Sequence, residues 1–290
     1  MTYVKNKWRL IRSLPANGAR NMAVDEAVLE SVIAGKSPAT LRLYAWEPAC
    51  LSLGYAQPEA DVDRVALEWH GWGLVRRPTG GRAILHGNEL TYSVIGTEND
   101  PRLAGGVLES YCTLSLALLE ALHLLGIPAQ AAEKPLTQSA TTENIGAGST
   151  TVHKKANQNP VCFEIPSTYE ITAGGKKLIG SAQARRDQGV LQHGTLILFG
   201  DLTRIIRVLK FRDEAARERA ASRLLEHATT AEGVARRIIT WDEAANAYIQ
   251  AFSKVLNLVL EPVELSPDEL ERAKALMVEK YTNPDWNERI

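Results

Sequence analysis

Apolar and polar residues change period several times along the chain, and each change marks an element. Residues 8–13 alternate with the two-residue period of a strand, whereas residues 19–34 (ARNMAVDEAVLESVIA) repeat apolar positions every three to four residues, the period of an amphipathic helix, until Gly35 stops it. Residues 41–46 and 50–54 read as two strands on either side of Glu47-Pro48, and Asp61 is placed to cap a helix running to about His70. Residues 73–77 and 90–95 read as paired strands flanking a glycine-rich turn, and a long, largely apolar helix follows over 107–125, ended by Gly126 and Pro128. Strands are expected at 169–172, 178–184 and 190–199, after which Asp201 caps another helix and the remainder reads as mainly helical. Thr240 caps a helix over 241–256, and Ser266-Pro267-Asp268-Glu269 combines a capping box with a first-turn proline to open a helix reaching Tyr281. Strands interleaved with helices at short spacing predict an α/β (α+β) protein, a mixed β-sheet packed by helices, with no internal repeat and no linker between two cores.

Residues 133–158 break this pattern. They are rich in Thr, Ser, Ala, Asn and Gly and too long and polar for a compact connection, so a mobile loop is expected there. Its VHKK segment reads either as a solvated charge run or as a contact for an acidic partner. With 45% hydrophobic residues the chain can bury a sizeable core, and a net charge of -1 argues against bulk attraction to nucleic acid or to an anionic membrane while leaving local patches open. The first residues, MTYVKNKWRLIRS, carry no apolar signal core, and no apolar run approaches the roughly 18 residues that span a bilayer, so neither secretion nor membrane insertion is expected. Cys50, Cys112 and Cys162 lie far apart without a CxxC pair, which suggests neither a disulfide framework nor a zinc site and fits a reducing cytoplasm.

Two stretches carry candidate chemistry. In NPVCFEIPSTYEITAGGKKLIGSAQARRDQGVLQHG (159–194), Cys162 and the pair Lys176 and Lys177 sit on β-type segments joined by Gly174 and Gly175. A thiol becomes a useful nucleophile when its pKa falls from about 8.5 toward neutrality, and a nearby ammonium does this by favouring the anion. The alternative is that Cys162 is one more buried small hydrophobe. In RRPTGGRAILHGNE (76–89), Gly80-Gly81 permits approaches that a Cβ would block, while Arg76, Arg77, Arg82 and His86 supply donors suited to a carbonyl or phosphate. The same residues read equally as an ordinary Gly-Gly hairpin turn with solvated arginines. The spacing matches neither GxGxxG nor GxxxxGK[ST], and His86, Glu89 and His193 are expected to be structural or substrate-facing groups rather than metal ligands.

Taken together, RRPTGGRAILH, NPVCFEIPSTYEI and GKKLIGSAQARRDQGVLQHG resemble the lipoate and octanoate transferase superfamily, most closely the LipM-type octanoyltransferases. The resemblance runs from WRLIRS and NMAVDEA near the start to KYTNPDW near the end. It implies the fold of the biotin and lipoate protein ligase catalytic domain, over residues 1–262 with a core at about 36–250, and a C-terminal helical extension at 263–290. It also implies that Cys162 is the acyl-thioester nucleophile and that Lys177, or the adjacent Lys176, is the cation beside it. Arg77, Thr79, Gly80, Gly81 and His86 would line the acyl site, and Gly180, Ser181, Ala182, His193 and Gly194 its facing wall. Gly87 departs from the pattern, because many relatives carry aspartate there. The implied reaction takes octanoyl from octanoyl-acyl carrier protein onto Cys162 and passes it to the lysine of a lipoyl domain. That acceptor would be the glycine cleavage H protein or a 2-oxoacid dehydrogenase E2, and neither ATP, metal nor another cofactor would be needed. The rivals are an ATP-dependent lipoate-protein ligase, an octanoyl amidotransferase between lipoyl proteins and an inactive acyl-binding module. The cysteine of CFEIPS and the missing aspartate at Gly87 favour the transferase over the ligase.

Overall fold

The computed structural model describes residues 3–133 and 169–289. Cys162 and nearly all of the 133–158 loop therefore lie outside the described residues. Eleven strands alternate with helices among those described: β1 (Asn6–Arg12), β2 (Thr40–Tyr44), β3 (Cys50–Leu53), β4 (Gly73–Arg76), β5 (Ile84–His86), β6 (Glu89–Thr97), β7 (Gln130–Glu133), β8 (Tyr169–Ala173), β9 (Lys176–Arg186), β10 (Gly189–Ile197) and β11 (Leu258–Pro262). Eight of them form one sheet in the order β11-β1-β2-β6-β10-β9-β8-β7, and β4-β3-β5 form a second. The large sheet is mixed, as expected: β11, β1 and β2 run parallel, and from β2 onward every pairing is antiparallel.

The two-residue period of the central strands sorts their side chains to two different layers. Leu41 and Leu43 of β2 and Leu90, Tyr92 and Val94 of β6 join one core, packed by α3 (Val107–Leu124), the short α5 (Ala231–Ala235) and α6 (Trp241–Val255). Tyr44 and Ile95 face the opposite side and join a second core with α1 (Gly18–Ile33) and α7 (Pro267–Leu276). A third core lies beneath the small sheet, where Leu51, Leu53 and Ile84 meet α2 (Arg64–His70), the 3-10 turn Leu202–Val208 and α4 (Glu214–His227). The helix starts follow the capping chemistry: Asn17, Thr240 and Ser266 each accept a hydrogen bond from an amide of the first turn.

Several expectations are corrected. The strands at 73–76 and 89–97 do not pair: β4 pairs in parallel with β3, while β6 lies in the large sheet between β2 and β10, with β5 intervening in sequence. Asp61 ends a short 3-10 turn, and the cap of α2 is Asp63, because the buried Val62 between them is extended and bridges to Leu209. Asp201 opens a 3-10 rather than an α-helical turn. The region after 201 is not purely helical, since β11 pairs with β1, and the last long helix ends at Leu276 before a π turn carries the chain to Tyr281. Cys50 is buried, whereas Cys112 is only partly buried on α3.

Candidate active site

The small sheet stands over the α1-facing side of the large sheet, and a narrow cleft opens between them. Its walls come from both sheets and from α1. Ser52, Arg77, Gly81, Ile84 and His86 belong to the small sheet and its turn, Met22 belongs to α1, and Tyr44, Thr91, Gly180, Ala182, His193 and Thr195 belong to the large sheet. Register explains the large-sheet wall: His193, Gly194 and Thr195 of β10 pair with Ala182, Ser181 and Gly180 of β9, so two sequence motifs become one continuous surface. Gly194 is required by packing, since a Cβ there would stand 2.3 Å from Ser181 Oγ and 2.7 Å from the Tyr92 ring. The Ser181 hydroxyl bonds Tyr92 Oη at 2.8 Å on the helix-packed face, so Ser181 borders the cleft without turning its side chain into it.

The arginine-glycine stretch is held from within. The Arg77 guanidinium donates to the Ser52 carbonyl and hydroxyl at 3.0 and 3.1 Å and to the carbonyls of Gly80 and Arg82, both at 2.8 Å, stitching the turn to β3. Gly81 adopts φ +91°, and its carbonyl packs so closely on Gly54 that a Cβ at Gly54 would lie 1.8 Å from it. Gly80 and Gly81 are exposed at the cleft mouth. Arg76 points away from the cleft: its fully buried guanidinium donates to the carbonyls of Gly54, Gln57, Asn287 and Arg289.

Two buried imidazoles face the cleft, each between a hydroxyl and a carboxylate. His193 Nε2 lies 2.6 Å from Thr79 Oγ1, and its Nδ1 lies 3.6 Å from Asp25 Oδ2, too long for a hydrogen bond. Asp25, fully buried on α1, is bonded by Arg42 at 2.7 Å, Ser93 at 2.9 Å and Tyr44 at 3.0 Å. Burial works to raise its pKa, but Arg42 and His193 together hold it below the ordinary value. Burial depresses the imidazole of His193, and Asp25 offsets this only in part. His86 Nε2 bonds Ser52 Oγ at 2.8 Å, its Nδ1 meets Glu89, and its ring stacks on Trp46 at 3.9 Å. At Gly87, where the resemblance expects aspartate, no carboxylate is present, and Glu89 supplies one to His86 instead.

Lys177 does not line the cleft. It is buried near one end of β9, three residues before Gly180, and donates to Glu170 Oε1 at 3.0 Å. Lys176, on the other side of the strand, reaches the Leu225 carbonyl of α4. The structure thus gathers Arg77, Gly81, His86, Gly180, Ser181, Ala182, His193 and Gly194 around one cleft, with Thr79 behind His193 and the exposed Gly80 bonded to Arg77. Asp25, Ser52, Trp46 and Glu170 were not singled out from sequence. Asp25 alone left a signal there, being an acid on the apolar stripe Met22, Leu29 and Val32 of an amphipathic helix.

The lipoyl protein ligase A/B catalytic domain matches residues 17–253. The chain belongs to that family. Within it, the chain is 40% identical to octanoyltransferase LipM of Kyrpidia tusciae over 283 residues, 97% of this chain and 98% of the relative. It is 37% identical to octanoyltransferase LipM of Bacillus subtilis over 287 residues, 98% of each. Such likeness over nearly the full length makes it an acyltransferase of the LipM type. A bi-partite lipoate protein ligase from Thermoplasma acidophilum, described with its E2 lipoyl domain, superposes with a TM-score of 0.77 at 25% identity, covering 98% of this chain and 96% of that one. A lipoate-protein ligase A bound with ATP superposes at 0.74 with 26% identity, covering 97% and 98%. The fold is therefore that of the lipoate ligase catalytic domain, and the cleft walls are contributed by segments that lie far apart in the chain, around residues 77–91 and 180–195.

Proposed function

We propose that the protein transfers an octanoyl group from octanoyl-acyl carrier protein to the lysine of a lipoyl domain, in the cytoplasm, through a thioester on Cys162. The observation that carries this reading is the convergence of two of the three resemblance motifs, RRPTGGRAILH and GKKLIGSAQARRDQGVLQHG, on one largely apolar cleft, in a chain whose full-length relatives are octanoyltransferases. The Cys162 thiolate attacks the carrier thioester, the carrier thiol leaves, and the lysine amine then attacks the acyl-enzyme. Lys177, sited by Glu170 three residues from the cleft wall, is the cation assigned to the thiolate and the developing oxyanion. Thioester exchange is nearly neutral and amide formation is downhill, so neither ATP nor metal enters the scheme.

The test is mass spectrometry of the protein mixed with octanoyl-acyl carrier protein in the absence of ATP. The expected result is one octanoyl adduct that maps to the Cys162 peptide and disappears when a lipoyl domain is added. An adduct on Cys50 or Cys112 would remove Cys162 from the scheme. Efficient modification from free octanoate and ATP, with pyrophosphate release, would make the protein a ligase.

A further inference from the structure

Residues 202–212, LTRIIRVLKFR, carry four cations and no acid, in a chain whose basic and acidic residues number 33 and 34. Three of the cations, Arg204, Arg207 and Lys210, recur every third residue, and the residues between them, Ile205, Ile206, Val208 and Leu209, are all buried beneath the small sheet. On the 3-10 turn Leu202–Val208 three residues complete one turn, so Arg204 and Arg207 stand one above the other on its outer edge. The extended Leu209 then leaves Lys210 exposed beyond them. Asp201 pairs with Arg207 at 3.0 Å, whereas Arg204 and Lys210 make no ion pair among the described residues. An aromatic ladder continues the stripe: Arg204 lies over the Trp72 ring at 4.7 Å, Trp72 stacks on His70 at 4.3 Å, and His70 meets Trp69 edge-on at 4.6 Å. Trp69 is 80% exposed, and Val65, one helical turn earlier on α2, is 77% exposed. The stripe reaches the cleft in two places. A Cβ at Gly87, the residue after His86, would stand 3.6 Å from Arg204 Nη1. Arg82, the residue after Gly81, shares Asp61 with Lys210: burial raises that carboxyl, and the two cations draw it back.

We infer that the cation stripe Arg204, Arg207 and Lys210, with Arg82 at the cleft mouth and the exposed Trp69, is the surface on which an acidic donor carrier protein docks before its acyl arm enters the cleft. An acidic surface meets cations here that lack acids of their own, so charge complementarity draws the partner in and fixes its orientation. Trp69 adds what the cations cannot, a rigid apolar anchor of the kind that dominates binding energy when a partner covers it. The two transfer partners bring opposite charges to the cleft. The donor's arm is joined to its protein through a phosphodiester, an anion that Arg204 and Arg82 attract. The acceptor instead presents a lysine ammonium, which the same cations repel. That difference assigns the stripe to the donor rather than to the lipoyl domain.

The identity of the partner rests on the transfer reading, and the test separates the two. Fluorophore-labelled octanoyl-acyl carrier protein is titrated into the full chain carrying Cys162→Ala, and fluorescence anisotropy gives the Kd without any acyl transfer. Adding Arg204→Glu/Lys210→Glu should raise that Kd at least ~10-fold. Adding Lys5→Glu/Lys274→Glu, which changes the net charge equally at two exposed lysines outside the stripe, should leave it unchanged. Arg207 and Lys210 are both exposed, so Arg207→Glu/Lys210→Glu repeats the test without disturbing the Arg204 stack on Trp72. Raising the salt concentration from about 0.05 to about 0.5 M should weaken binding of the unreversed chain and shrink the difference between the chains. No measurable binding, an unchanged Kd in both stripe variants, or an equal loss in the Lys5→Glu/Lys274→Glu chain overturns the docking surface. Loss of lipoyl-domain binding with carrier binding intact overturns it as well and gives the stripe to the acceptor. Carrier binding that depends on the stripe, in a protein whose wild type forms no octanoyl adduct, would overturn the transfer reading alone.

Discussion

Lys177 and Glu170 bond at 3.0 Å with both side chains buried, so the same ammonium serves the fold and, in the proposed scheme, the thiolate. Lys177→Met leaves a buried carboxylate without this donor, and truncating one partner of such a pair costs about 3–5 kcal/mol. Adding Glu170→Gln removes the carboxylate's charge, so denaturant unfolding should show stability largely recovered in Lys177→Met/Glu170→Gln. Octanoyl transfer should stay low in both variants. Recovery of transfer with stability would make Lys177 structural only. A second residue-scale effect concerns His193, whose imidazole burial holds below its ordinary 6.5, with Asp25 offsetting only part. Between that lowered value and 6.5 the unfolded chain binds more protons than the folded one, so this stability is present above 6.5 and is lost as pH falls through the window. Each pH unit across it is worth about 1.4 kcal/mol. Thermal midpoints measured on acidification from pH 7.5 to 5 should fall less steeply for His193→Gln than for the wild type. Equal slopes would mean that His193 titrates alike in both states.

Among the elements, β4 is held by the C-terminal segment as well as by its own sheet. The α8 turn (Pro284–Asn287) places Asn287 Oδ1 2.8 Å from the Arg76 amide, and the same side chain donates to the Tyr281 carbonyl at 2.8 Å. Asn287→Ala should strand the buried amide of Arg76 at a cost of about 1–3 kcal/mol. Hydrogen exchange should then speed up at Val75 and Arg76 while β6 and β10 keep their protection. Faster exchange spread evenly over both sheets would show that α8 does not act locally. The elements read well from sequence where the period was long and the caps explicit, as in α1, α6 and α7. Three strands went unread, each for a physical reason. The β5 strand is three residues long, β7 is the weakly apolar QAAE, and β11 ends in proline; each is held by its partner strand rather than by intrinsic preference.

At the scale of the whole molecule, residues 263–289 close the structure. Glu269 completes the capping box of α7 and bonds Arg9 of β1 at 2.7 Å, Lys280 and Tyr281 hold Glu26 of α1, and the carbonyls of Trp286, Asn287 and Arg289 hold Arg76. A chain ending at Pro262 should leave Arg9, Glu26 and Arg76 short of partners and expose the apolar face of α1. It should lose near-UV circular dichroism and bind ANS while keeping much of its far-UV signal. A cooperative, native-like melt would show instead that the extension is dispensable. The sequence by itself determined the elements with clear periodicity, the caps of α6 and α7, the mixed sheet and the two motifs whose residues line the cleft, because period, capping and backbone freedom act over a few neighbouring residues. Tertiary structure alone decided that β4 and β6 lie in different sheets, that Lys177 meets Glu170, and that Ser52, His86 and Glu89 come within hydrogen-bonding reach around Trp46. Those meetings depend on strand order and on one sheet closing over another, and the contacts that settle them join residues too far apart in the chain for any local pattern to encode.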